Sequence, residues 1–190
     1  MPAKGLVFHA PLFKSQAQAA TGQTLAPSSS ADITYQVYKN IPCALLQNNS
    51  YIEVTDGLDT LPSGRDPWTI SVWCSVPTDP SALSTAFGYG NTQTNRNIAI
   101  NFGSPPSRYI RCVIYNNTLV TGFKYTVGEW SCVTYTYDGT TIKTYVNGIA
   151  GATVDLEMSL QQTALNIGCY GKYTQYPFNG YIAGARIYNR

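Results

Sequence analysis

The chain has 190 residues, of which 12% are charged, and a net charge of +2. The charged share is about half the roughly 25% of ordinary globular proteins, so surface polarity must rest on Thr, Ser, Asn, Gln and Tyr. That suits an antiparallel sheet with one wet face and does not suit a helical surface coated with Glu and Lys. Lys and Arg are scattered without a basic run, so no footprint for nucleic acid exists, and no apolar stretch of roughly 18 residues is available to span a membrane.

In chain order, strand signals begin with GLVFHAPLF at 5–13. The stretch 22–32 reads as a polar loop. YQVYKNIPCALL, 35–46, and SYIEV, 50–54, read as strands. WTISVWCSV, 68–76, alternates strictly, placing Trp68, Ile70, Val72, Cys74 and Val76 on one face. NIAINF (97–102), YIRCVIYNN (109–117), WSCVTYTY (130–137), TIKTYVNG (141–148), ALNIGCY (164–170) and YIAGARIYN (181–189) follow, separated by Gly, Pro, Asn and Asp clusters. Only Leu156 to Leu165 hints at a helix. Roughly ten to twelve short strands and almost no helix predict an all-β sandwich or barrel, with residues 1–190 forming one domain.

YTYDGTTIKTYVNG, 135–148, shows how such a chain turns. Asp138-Gly139 and Asn147-Gly148 supply bends, because Gly tolerates positive φ. Between them Ile142, Thr144 and Val146 share a face that is expected to meet the second sheet. Lys143, Tyr145 and Asn147 share the other. The five cysteines, Cys43, Cys74, Cys112, Cys132 and Cys169, form no CxxC pair. They read as small buried hydrophobes with reduced thiols, the alternative being a chance disulfide between neighbouring strands. The N-terminal segment MPAKGLVFHAPLF has a short apolar run broken by His9 and Pro11, so the expectation is synthesis in the cytoplasm without a signal peptide.

Several motifs resemble one family. VGEWSCVTYTYDGTTIKTYVNG is similar to the central signature of laminin G-like, concanavalin A-type jelly rolls: a Trp, an alternating strand, Tyr-Asp-Gly, a strand, then Tyr-x-Asn-Gly. PWTISVWCSV and SYIEV fit the same pattern, and LNIGCYGKYTQYPFNGYIAGARIYNR resembles the closing segment. The resemblance implies a two-sheet antiparallel sandwich with one concave face. GLVFHAPL followed by ATGQTL is also similar to laminin G-like proteins of bacteriophages and prophages. This implies a virion-associated protein, released by lysis, with neighbouring virion subunits as partners.

Related folds include glycoside hydrolases, which need two carboxylates about 5 to 10 Å apart. Jelly-roll glucanases place them in a Glu-x-Asp-x-Glu type run. Here the only acids two residues apart on a plausible strand are Asp155 and Glu157, and GxSxG is absent, so no catalytic residue is assigned. Calcium takes several oxygen ligands, and TDGLDTLPSGRD offers Asp56, Asp59 and Asp66, whose alternative reading is turn chemistry. No metal ligand or other cofactor is assigned.

Binding is the remaining expectation. The chain holds 15 Tyr, 3 Trp and 6 Phe, and aromatic rings stack on sugars while amides bind hydroxyls. Two loops combine these types. FGYGNTQTNRN, 87–97, carries Tyr89, Asn91, Gln93, Asn95 and Arg96. CYGKYTQYPFN, 169–179, carries Tyr170, Lys172, Tyr173, Gln175 and Tyr176. Tyr89, Asn91, Asn95, Arg96, Tyr170, Tyr173, Gln175 and Tyr176 are the candidate ligand contacts, the alternative being that both loops only pack on neighbours. The expected role is a non-catalytic attachment domain for carbohydrate or protein, with no nucleic acid and no membrane partner. A structural decoration protein and, last, a glycoside hydrolase are the rival readings.

Overall fold

The computed structural model describes residues 5–28, 32–170 and 175–190. These form fifteen strands in two antiparallel sheets and no α-helix, with one 3-10 turn at Leu58–Thr60. Sheet one runs, in spatial order, β13 (Ile149–Asp155), β12 (Thr141–Val146), β11 (Trp130–Tyr137), β6 (Trp68–Ser75), β15 (Gly180–Tyr188), β4 (Ile41–Leu46) and β3 (Ile33–Tyr38). β15 divides one edge between two partners: Gly180 to Ile182 pairs with β4, and Gly184 to Tyr188 with β1 (Leu6–Pro11). Sheet two runs β10 (Asn117–Lys124), β9 (Tyr109–Ile114), β8 (Asn97–Phe102), β7 (Ser84–Gly90), β14 (Leu165–Ile167), β5 (Ile52–Val54) and β2 (Leu25–Pro27).

Period-two patterning decides which faces meet. On β6, Trp68, Ile70, Val72 and Cys74 are buried, while Trp73 between them is 39% exposed. On β12, Ile142, Thr144 and Val146 point inward as expected, and Lys143 is exposed. Trp68 packs on Tyr137 with ring centroids 5.6 Å apart. Opposite them, Ile98, Ile100 and Phe102 of β8 and Ile110, Cys112 and Ile114 of β9 close the core. Each fully buried large apolar side chain contributes about 1.5–3 kcal/mol. All five cysteines are free thiols. Burial pushes the Cys74 and Cys112 thiols far up and that of Cys169 up to about 12.

Several elements differ from the sequence reading. YQVYKNIPCALL is a hairpin, because Lys39 and Asn40 both take left-handed φ, 47° and 65°, as a tight turn between twisted strands requires. The polar loop 22–32 contains β2. β7, β10 and β13 carry no apolar alternation in sequence. β7 is rich in small residues, and β10 and β13 are sheet edges with mostly exposed or half-exposed side chains. Leu156–Leu165 is not helical, because its backbone bonds elsewhere: Ser159 N–H donates to Asn95 O, and Leu160 exchanges hydrogen bonds with Gly64.

The two middle strands of sheet two, β7 and β8, are buried along their whole length on both faces. One face meets sheet one. The other is the floor of the candidate site.

Candidate functional site

The floor follows from the β8 sequence. In NIAINF the Ile98, Ile100 and Phe102 side chains enter the core, so Asn97, Ala99 and Asn101 face outward. Register places Thr85 of β7 opposite Asn101, Gly88 opposite Ala99, and Arg111 of β9 on the other side of Asn101. The result is a row of amide, hydroxyl and guanidinium groups on a sheet kept low in its middle by Gly and Ala.

The wall comes from the chain after β14. Tyr170 starts on the far side of β7, yet its hydroxyl accepts a hydrogen bond from Asn97 Nδ2 at 2.8 Å, so its side chain crosses β7. Burial pushes the Tyr170 phenol up in pKa, and the Asn97 bond pulls it partly back. The other amide atom, Asn97 Oδ1, accepts from Tyr115 N–H at 2.9 Å. Tyr176 has φ 53° and stands edge-on to Tyr170, centroids 6.1 Å apart. Its carbonyl accepts from Thr85 N–H at 2.8 Å, which fixes the segment to the sheet. Tyr115 and Tyr176 leave 43% of their surface exposed. A hollow of about 270 Å³ lies between, lined by Asn101, Tyr115, Asn116, Tyr170, Gln175 and Tyr176 among others.

Asn101 is fully buried, and neither its Nδ2 nor its Oδ1 has a hydrogen-bond partner. The same holds for Thr85 Oγ1 and Arg111 Nε. Leaving a buried donor or acceptor unpaired costs about 1–3 kcal/mol per group, so several on one face need an account. Tyr135 carries the other kind of orphan, a hydroxyl buried in the core against apolar neighbours.

The candidates from sequence divide. Tyr170, Gln175 and Tyr176 line the hollow. Tyr173 and Lys172 fall outside the described residues. Tyr89 is corrected: it is 1% exposed, and its hydroxyl donates to Pro62 O at 2.6 Å, so it is a core residue with no ring face open to a ligand. Asn91, Asn95 and Arg96 also lie apart from the hollow. Asn91 Nδ2 donates to Gln161 Oε1 at 3.1 Å, Asn95 Nδ2 to Glu157 O at 3.1 Å, and Asn117 Nδ2 to Asn95 Oδ1 at 2.7 Å. Arg96 Nη1 donates to Gln93 Oε1 at 2.6 Å. This turn spends its polar groups on its own shape. Asn101, Thr85 and Tyr115 escaped the sequence reading. The available signal was Asn at both 97 and 101 in an otherwise apolar strand, which puts two amides on one face.

The acids stand elsewhere. Asp155 Oδ1 accepts from Thr141 Oγ1 at 2.8 Å, and Glu157 pairs with Arg65 at 3.1 Å, both exposed. Asp56 accepts from Thr24 N–H and hydroxyl at 2.5 and 2.7 Å, and Asp66 accepts from Ser63 N–H at 3.0 Å. Both use carboxylates to tie turns. The described residues hold no cluster of three or more His, Cys, Asp or Glu side chains suited to a metal ion. A larger hollow of about 600 Å³ lies at one end of the sandwich, walled by the 77–84 loop. Among the described residues its one acid, Asp79, is held by Arg108 and Tyr125, and no buried side-chain polar atom of its lining lacks a partner.

The laminin G-type model of the concanavalin A-like lectin/glucanases superfamily matches residues 46–190. The chain belongs to that superfamily. Solved structures agree on the fold. Domain 4 of an extracellular arabinanase from Geobacillus stearothermophilus, in complex with arabinotriose, superposes with TM-score 0.73 at 19% identity, covering 97% of this chain and 92% of that one. The receptor-binding domain of botulinum neurotoxin C/D mosaic serotype gives TM-score 0.73 at 15% identity, over 98% of this chain and 48% of that one. The binding domain of Paraclostridial mosquitocidal protein 1 gives 0.69 at 15% identity, over 98% and 49%. The chain thus spans about half the length of the two toxin domains. A comparison with curated protein sequences gives no match.

Proposed function

We propose that this superfamily member is a non-catalytic carbohydrate-binding domain, and that its site is the hollow between Asn101, Tyr115, Tyr170 and Tyr176. The carrying observation is the Asn101 amide, fully buried with both polar atoms unpartnered beside that hollow. Saccharide hydroxyls donate and accept at once, which is what an amide requires, and a sugar entering the hollow reaches Asn101 by displacing the groups that cover it. The tyrosine rings supply apolar faces for the sugar ring. Among the described residues the lining carries amides, hydroxyls and tyrosine rings and no carboxylate or histidine, a composition that suits holding a sugar. The arabinotriose complex of the arabinanase domain supports a saccharide ligand.

In this reading the domain works as an attachment or accessory module on a surface assembly such as a phage virion, following the resemblance of GLVFHAPL and ATGQTL. Many copies raise avidity from modest single-site affinity. A glycan array run with the native protein, N101A and Tyr176→Ala tests it. Hits lost in both variants support the site. Hits that survive both sink it. No hits, together with a symmetric oligomer in solution, favour the decoration protein.

A further inference from the structure

A second face of the molecule carries its own signature. On the outer side of sheet one, Trp73 is 39% exposed and Phe13, just beyond β1, is 49% exposed. Between them lies a shallow depression of about 380 Å³. Register explains its shape. Gly184 stands opposite Trp73 on β15 and presents no side chain beside the indole. In the next row Arg186 stands opposite Ser71, with His9 beyond it on β1. Arg186 is therefore a diagonal same-face neighbour of Trp73, within reach of a ligand lying on the ring.

Charge selects the ligand. Among the described residues Arg186 and His9 are the titratable groups of the lining, and no carboxylate is among them. Arg186 is exposed and has no ion pair or hydrogen bond from its guanidinium among the described residues. Lys14 Nζ sits 5.6 Å from the Phe13 ring centroid and adds a second cation at the rim. An unpaired guanidinium beside an exposed indole fits a ring that carries a carboxylate: the ring stacks and the carboxylate takes a forked pair of N–H donors.

We propose that this shelf is a second binding site, separate from the Asn101 hollow, for saccharides bearing carboxylates, with Trp73 as the stacking face and Arg186 as the carboxylate partner. It does not depend on the sheet-two site, since the two lie on opposite outer faces.

The test uses oligogalacturonate, oligoglucuronate and sialyl-lactose, each with its methyl-ester form, against the native protein, Trp73→Ala, R186Q and N101A. Binding is read by calorimetry and by the Trp73 indole N–H resonance. The expected result is binding of at least one acidic probe, weakened about 10-fold by its ester, by Trp73→Ala and by R186Q, with the Trp73 indole resonance still shifting on titration of N101A. Arg186 is exposed, so R186Q reports even where Trp73→Ala lowers expression. No binding of any acidic probe, equal binding of acid and ester, or a poly-glutamate peptide binding as tightly as the sugars would overturn it. Loss in N101A with retention in R186Q would assign the sugar to the Asn101 hollow and reject the shelf.

Discussion

Residues 87–97, spanning the end of β7 and the turn after it, and residues 169–179, after β14, carry the same residue types: tyrosine, amides and a cation. In the first, Asn91, Asn95 and Arg96 are bonded to Gln161, Glu157, Asn117 and Gln93, within the turn, to the 157–161 segment or to the start of β10. Tyr89 is inside the core. In the second, Tyr170 and Tyr176 stand over a sheet face where Asn101 and Thr85 have unpaired polar atoms. Composition does not separate a structural turn from a binding segment. What separates them is whether the amides nearby are already satisfied.

The largest effect should come from the structural turn. Gly90 has φ 100°, and a Cβ there would lie 2.3 Å from Arg96 O. Gly90→Val is expected to cost about 3 kcal/mol or more, seen as a lowered urea midpoint. On the binding side, N101A is expected to weaken saccharide binding about tenfold or more while leaving the urea midpoint unchanged or raised, because it removes polar atoms that lack partners. Comparable stability loss without a binding defect would reverse the roles of the two regions. Asn95 has φ 58° and two side-chain bonds. Asn95→Ala should cost about 1 kcal/mol in the same denaturation and leave the glycan array unaltered.

A control sharpens the meaning of the orphans. The Tyr135 hydroxyl is buried and unpartnered but lines none of the hollows described above. Tyr135→Phe should therefore stabilise by up to about 1 kcal/mol, read by thermal melting, with binding intact. The smallest effect is that of pH. Among the described residues the Asn101 hollow has no acid or histidine, so its affinity should be flat across about pH 5 to 9. Stability should not be flat. Hydrogen bonds from Arg108 hold Asp79 below its ordinary value of 3.8, and those from Thr24 do the same for Asp56. Both contributions are present above 3.8 and lost as pH falls through the lower folded values. D79N should flatten the acid limb of a stability-versus-pH curve without touching binding.

The central strands were legible because burial on one face writes period two into residues 68–76 and 130–146. The edge strands β10 and β13 were not, since an edge with exposed side chains has no apolar alternation to write. β7 was missed for another reason: a strand covered on both faces and filled with small residues reads as a loop. Of the site, the tyrosines of the closing segment were visible as residues, and the floor was not. Asn101 becomes informative only when register sets it beside Thr85 and Arg111.

The most direct measurement is the Asn101 side-chain NH₂ resonance followed by NMR as a binding oligosaccharide is titrated in. The predicted result is a saturable downfield shift and slowed exchange, as an unpaired donor gains an acceptor, with the same affinity as the bulk binding curve. Saccharide binding that leaves the Asn101 amide unmoved would contradict the assignment of the site.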